Sequence, residues 1–226
     1  FVLFLHYSKK VPSEAICYLT RVLEKKSHLQ KLQLDFFGSD EEKVLESKIK
    51  IIKNLKQLES LRIRFAFSAN MQTSHLKLLL SIISTLKKLK SLALDFPHCP
   101  VQANILQGLN ECLSSLINLE TFNLGFEAST IDVELLSSAI QSRRELKNLK
   151  INFLSFELTE LSLNYLKSAL LTLNNLHSFQ IKLSSKDGLT PKGFKSLLTG
   201  LRNSANTLQR LSLDISGCYL IREVEL

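Results

Sequence analysis

Glycine is scarce in this chain: its seven copies are mostly isolated, no glycine-rich loop is present to cradle a phosphate, and no serine stands in a Gly-x-Ser-x-Gly elbow. Cysteine is equally thin. Cys17, Cys99, Cys112 and Cys218 lie far apart, without the paired spacing of a disulfide framework or a zinc ribbon, which favours a reducing, intracellular setting such as the cytoplasm. Asn-x-Ser/Thr acceptors are missing, in keeping with that setting. No apolar run approaches the roughly 18 residues needed to cross a bilayer, and the opening Phe1 to Leu5 lacks the basic start and cleavage site of a signal peptide. No membrane partner is expected. Tryptophan is absent too, yet 45% hydrophobic content supplies an ordered core, and a charged fraction of 22% is too ordinary for a disordered polymer.

What the chain has in quantity is leucine at fixed spacing. One eight-residue phrase occurs seven times: LQKLQLDF from Leu29, LESLRIRF from Leu58, LKSLALDF from Leu89, LETFNLGF from Leu119, LKNLKINF from Leu146, LHSFQIKL from Leu176 and LQRLSLDI from Leu208. The starts differ by 29, 31, 30, 27, 30 and 32 residues, which defines a unit of about thirty. Aligning FVLFLHYS with LRIRFAFS places Phe1, Leu3, Leu5 and Tyr7 on Leu61, Ile63, Phe65 and Phe67, so the chain is expected to open inside an eighth strand.

Within each phrase apolar and polar residues alternate, as Leu61, Ile63 and Phe65 do against Arg62 and Arg64, which is the period of a strand buried on one face. Upstream the spacing becomes helical: Leu76, Leu79, Ile83 and Leu86 before Leu89; Leu106, Leu109, Leu113 and Leu116 before Leu119; Leu163, Leu166, Leu170 and Leu173 before Leu176. Thr190-Pro191 is a good helix start, and Ser39-Asp40-Glu41 offers a similar one. Each unit thus carries one apolar strand face and one apolar helix stripe, which must close on each other and on their neighbours. Parallel strands sit roughly 4.8 Å apart and packed helices roughly 8–10 Å, so such a stack bends with its strands inside. A closed β/α barrel is the competing arrangement. It would bury Arg62, Arg64, Lys150, Asn152, Gln180 and Lys182 without evident partners, which opposes it.

The L-x-x-L-x-L phrase with a helix between copies resembles the leucine-rich-repeat superfamily, and the thirty-residue unit resembles its helix-containing, ribonuclease-inhibitor-like class. The resemblance covers essentially the whole chain and implies an α/β solenoid: a curved right-handed βα superhelix, parallel sheet on the concave face, helices on the convex face. It implies one domain over 1–226, of about seven full repeats plus a partial first one, within a longer chain. The family's usual Asn or Cys two residues after the last leucine is missing; Phe37, Ala66, Pro97, Glu127, Leu154, Ser184 and Ser216 stand there. An aromatic or aliphatic residue precedes each, similar to the divergent L-x-x-L-x-L-x-[LF] variant of ciliate-type proteins.

Within the repeats, chemistry-bearing residues do not converge. His6, His28, His75, His98 and His177 fall in different repeats without metal-binding spacing. Pro97-His98-Cys99-Pro100 is the one suggestive cluster, but Cys218 in the matching loop four repeats on is roughly 20 Å away at strand spacing, so the cluster reads as a kinked loop. No enzyme, metal, cofactor or small-molecule substrate is expected. The net charge of +8 has a structural account, because Lys25-Lys26, Lys53, Lys56, Lys87-Lys88 and Arg143-Arg144 are expected in last helical turns, where cations complement the dipole, while Glu41-Glu42 begin a helix. Glu46 and Lys50 form an i, i+4 pair on one helix.

By register the exposed strand positions are Lys31, Gln33 and Asp35; Ser60, Arg62 and Arg64; Ser91, Ala93 and Asp95; Thr121, Asn123 and Gly125; Asn148, Lys150 and Asn152; Ser178, Gln180 and Lys182; Arg210, Ser212 and Asp214. This polar surface, mixed in sign and nearly free of aromatics, is the candidate binding face. A protein-interaction scaffold within a larger assembly is the expected function; a basic RNA-associated component of a ribonucleoprotein is the alternative, on the net charge and on Arg62, Arg64, Lys150, Lys182 and Arg210. A GTPase-activating role has only analogy of fold behind it. Neither the opening strand nor Leu220, Ile221, Val224 and Leu226 looks like a finished cap, so further chain or a partner is expected over at least the front edge.

Overall fold

The computed structural model describes residues 2–7, 13–26, 28–37, 42–67, 70–99, 106, 108–127, 132–154, 159–184 and 189–216. Strand and helix alternate along it: β1 (Val2–Tyr7), α1 (Ser13–Glu24), β2 (Lys31–Phe37), α2 (Glu42–Lys50), β3 (Ser60–Ala66), α3 (Thr73–Ile83), β4 (Ser91–Phe96), α4 (Leu109–Ser115), β5 (Thr121–Glu127), α5 (Val133–Gln141), β6 (Asn148–Leu154), α6 (Glu160–Leu170), β7 (Ser178–Ser184), α7 (Pro191–Gly200) and β8 (Arg210–Asp214). All strands are parallel and pair in chain order. The sheet is open, since β1 and β8 each have a single neighbour among the described strands. A repeated strand–helix unit on one all-parallel sheet is an α/β architecture consistent with a repeat solenoid.

The inward positions of the phrase form ladders across the sheet. Leu32, Leu61, Leu92, Phe122, Leu149 and Phe179 make one row and Leu34, Ile63, Leu94, Leu124, Ile151 and Ile181 the next, all buried. The terminal aromatic position makes a third, in which Phe36, Phe65, Phe96 and Phe126 stack at centroid spacings of 5.1, 6.2 and 5.3 Å. Such ring pairs add roughly 0.5–1.5 kcal/mol beyond the area they bury. The helical stripes close on these rows: Leu76, Leu79 and Ile83, Leu109 and Leu113, and Leu163, Leu166 and Leu170 share one core with the strands. At β8 the pattern loosens, and Leu211 is 48% exposed, because no described element packs beyond that strand.

Between helix and strand the chain makes the same turn repeatedly. One carbonyl in each unit, that of Gln30, Glu59, Lys90, Glu120, Lys147 or His177, accepts N–H bonds from two consecutive residues where the next strand begins. This fixes the register of successive strands. The helix starts vary. Asp132 and Thr190 cap α5 and α7, accepting the Leu135 and Gly193 N–H at 3.0 and 3.1 Å, with Pro191 in the first turn as its missing donor suggests. The proposed start at Ser39-Asp40-Glu41 and the closing residues Leu220, Ile221, Val224 and Leu226 lie outside the described residues.

Two expectations are corrected. In β1, Leu3, Leu5 and Tyr7 pair with Leu32, Leu34 and Phe36, and thus stand in the rows of Leu61, Ile63 and Phe65, two residues from the alignment drawn from sequence. A shift of two leaves every residue on its own face, so alternation alone could not exclude it. The basic residues Lys25-Lys26, Lys53, Lys56, Lys87-Lys88 and Arg143-Arg144 lie beyond the helix ends at Glu24, Lys50, Ile83 and Gln141. The last leucine of the stripe, Leu86 for example, already belongs to the turn, so the chain has left the helical path before it reaches them.

There several of these bases tie neighbouring units together. The Lys56 ammonium donates to Thr85 Oγ1 at 2.6 Å, Lys87 to the Ser115 carbonyl at 3.1 Å, and the buried Arg143 to the Ile117 carbonyl at 2.8 Å. Asn118 and Asn203 do the same with the carbonyls of Lys87 and Leu171 at 2.9 and 2.6 Å. Glu46 and Lys50 form their expected pair at 2.7 Å.

Candidate functional site: the exposed face of the sheet

Every outward strand position named from the sequence falls into one of three straight rows that cross the sheet. The first row is Lys31, Ser60, Ser91, Thr121, Asn148, Ser178 and Arg210; the second is Gln33, Arg62, Ala93, Asn123, Lys150, Gln180 and Ser212; the third is Asp35, Arg64, Asp95, Gly125, Asn152, Lys182 and Asp214. All are exposed or half-buried except Ser178 and Gly125. Gly125 is covered because the Asp95 carboxylate leans across it; a β-carbon there would collide with Asp95 Oδ1. Ser178 is a small side chain in a row between Asn148 and Arg210.

Charge is divided unevenly among the rows. The third pairs its own charges: Arg64 Nε lies 3.3 Å from Asp95 and Lys182 Nζ 2.9 Å from Asp214. Burial raises the Asp95 pKa above the usual carboxylate value, with Arg64 and Arg62 pulling the other way. The Asp214 carboxyl is held down at about 2 by hydrogen bonds from Ser216 and Lys182. At the opposite edge, just before the strands, Lys90 pairs with Glu59 at 2.9 Å and Lys147 with Glu120 at 3.0 Å. The first and second rows contain Lys31, Arg62, Lys150 and Arg210 and no acid, and among the described residues none of these four cations is within 4.0 Å of a carboxylate. Two open depressions lie over these rows, one of about 230 Å³ bordered by Lys31, Arg62 and Asn123, the other of about 410 Å³ bordered by Asn123, Lys150 and Arg210.

One feature of this face escaped the reading of the sequence. Beyond the third row, Phe37, Phe67 and His98 form an exposed stack, with ring centroids 4.9 and 4.2 Å apart. Phe67 and His98 hold it from left-handed backbone at φ 57° and 54°, a conformation that costs an L-residue roughly 1–2 kcal/mol. The Phe67 N–H donates to the Pro97 carbonyl at 3.0 Å, and Cys99 is buried with its thiol on the Phe65 carbonyl at 3.0 Å. A signal was present: Phe36-Phe37 are adjacent, and two successive strand residues cannot both point inward.

Elsewhere among the described residues, chemistry-bearing groups do not gather. A hollow of about 400 Å³ between α3 and α4 is bordered by Glu111 and Cys112, but burial pushes the Cys112 thiol up to about 12, far from a nucleophile's range. Among the described residues no three His, Cys, Asp or Glu side chains are grouped to hold a metal ion, and no helix is long and apolar enough to cross a membrane. No family model matches the chain, and no curated protein is similar to it.

Proposed function

We propose that the chain is a leucine-rich-repeat solenoid of the ribonuclease-inhibitor-like class, with its sheet on the concave side, and that it serves as a non-catalytic scaffold that binds another protein on that face. The class is supported by the leucine ladders and the unit of about thirty residues. Curvature follows from the mismatch between strand spacing of roughly 4.8 Å and helix spacing of roughly 8–10 Å. A single observation carries the functional reading: seven strands present three rows of positions, polar except at Ala93 and Gly125, and all of them but Ser178 and Gly125 are exposed or half-buried among the described residues. Exposed polar rows of that extent cost nothing to leave in water and offer many positions for a partner, and the Phe37–Phe67–His98 stack supplies the aromatic anchor that protein interfaces favour. A role as subunit or domain of a larger intracellular assembly fits this surface.

The test is purification of the tagged protein from cells that express it, side by side with an Ala93→Trp variant, which adds bulk at the centre of the face, and a Lys195→Glu variant on α7. Partners retained by K195E and lost by A93W support the reading; partners lost by neither variant, or by K195E alone, move the interaction off the sheet. RNA association is the second reading, favoured by the four cations without carboxylate partners. RNA bound at physiological salt and lost on double reversal of Arg62 and Arg64 would replace the first reading with the second.

A further inference from the structure

We propose that the first two rows of the sheet face are a strip for an extended, acidic polypeptide segment laid across the strands; this rests on the protein-scaffold reading above. Charge on this face is paired at its edges and unpaired by carboxylates between them. Among the described residues, each lysine or arginine just before the strands or in the third row has a carboxylate: Glu59 with Lys90 and Glu120 with Lys147 at one edge, Asp95 with Arg64 and Asp214 with Lys182 at the other. Between those edges stand Lys31, Arg62, Lys150 and Arg210, with no acid in their rows. Cations in a row that lacks acids raise the local potential for an incoming anion, while the paired flanks contribute little field of their own.

The dimensions select the occupant. From the edge before the strands to the third row is five residues, roughly 16 Å, so carboxylates bound the strip on both sides at about the width of one extended chain with its side chains. A nucleic-acid duplex would overrun them. Single-stranded RNA would want rings beside the cations, but the exposed rings of Phe37, Phe67 and His98 lie beyond the Asp95 row and already stack on one another. From Lys31 on β2 to Arg210 on β8 is six strand spacings, roughly 29 Å, the span of about nine extended residues. The floor between the cations is made of short hydroxyl and amide side chains, Ser91, Thr121 and Asn123 among them, which can bond the polar backbone of such a segment.

The probe is a fluorescein-labelled peptide of about ten residues alternating Glu and Ser, titrated by anisotropy into the 226-residue protein at about 50 mM salt, where screening is modest. The control probes are the matching Lys-Ser peptide and a uridine oligonucleotide of the same length. Arg62→Glu with Lys150→Glu is compared with Lys77→Glu with Lys195→Glu on the helices, which changes the net charge equally, and circular dichroism confirms that both pairs fold. The proposal expects saturable binding of the Glu-Ser peptide, weakened about tenfold or more by R62E/K150E, changed within about twofold by K77E/K195E, and absent with Lys-Ser. Equal loss in both double variants would reduce the effect to net charge and overturn the strip. Tighter binding of the uridine oligonucleotide, lost in R62E/K150E, would assign the strip to nucleic acid instead. No binding of the Glu-Ser peptide, together with native partners that are still lost by A93W, would overturn the acidic ligand while leaving the scaffold reading intact.

Discussion

The two faces of this sheet are made by the same strands, one residue step apart, and they obey different rules. On the inner face Leu92, Leu94 and Phe96 meet near-identical neighbours on both sides, because each unit must fill the same space between strand and helix. On the outer face Ala93 stands between Arg62 and Asn123, and no two neighbours along the row are of the same type. Burial imposes uniformity, and its removal leaves the outer positions open to a partner's chemistry. The difference teaches that the repeat carries the fold while the outer positions are free to depart from it.

The comparison is broken most directly by equal truncations on the two faces. Leu92→Ala or Leu124→Ala should each cost roughly 2–5 kcal/mol in urea denaturation, since these fully packed side chains leave cavities that the ladder cannot close. Gly125→Ala probes one of the two buried outer positions, the one under the Asp95 carboxylate. We expect a loss of about 1 kcal/mol, because the new methyl pushes Asp95 away from Arg64, and near-additivity should fail when it is combined with Asp95→Ala. Arg64→Ala should cost less, about 0.2–1 kcal/mol, and the cost should shrink in high salt, as an exposed pair is screened.

Smaller still is the effect of pH on Asp95 and Asp214, two carboxylates of the third row whose pKa values the fold shifts in opposite directions. Asp95 is raised in the fold, so its contribution to stability is complete at low pH and is lost as pH rises through its folded value. Asp214 is lowered to about 2, so its contribution is complete above its ordinary value near 3.8 and is lost as pH falls through about 2. Carboxyl carbon NMR should show the two midpoints on opposite sides of that ordinary value; coincident midpoints would mean that the row is uniformly solvated. At the bottom of the scale, Ala93→Ser and Asn123→Ser should change stability within about 0.5 kcal/mol. If they melted like Leu92→Ala, the assignment of the two faces would be wrong.

Most of the face was legible before any coordinates. A strand's side chains alternate strictly, so Leu61, Ile63 and Phe65 could only be inside if Arg62 and Arg64 were outside, and the repetition of the phrase set all three rows at once. The leucine spacing upstream of each phrase likewise implied the helix stripes, and the polar residues alternating within the strands implied an open sheet, because a closed barrel would bury Arg62, Arg64 and Lys150. These are local properties, decided within each unit.

What crosses between units was decided by tertiary structure alone. The β1 register, two residues from the aligned position, depends on how α1 and its turns return the chain to the sheet, and a period of two cannot count that distance. The basic residues after the helices became ties to the next unit only because the turns place Lys87 beside the Ser115 carbonyl and Arg143 beside that of Ile117. The Phe37–Phe67–His98 stack required residues at the exits of three neighbouring strands to come together, Phe67 and His98 in left-handed conformations. The pairing of Arg64 with Asp95 and of Lys182 with Asp214, which leaves the strip between the flanks basic, depends on which side chains become neighbours across strands about thirty residues apart. The sequence alone determined which face each residue takes, since that is set by the step from one residue to the next; which residues meet on that face was decided by packing, since that is set by the path of the whole unit.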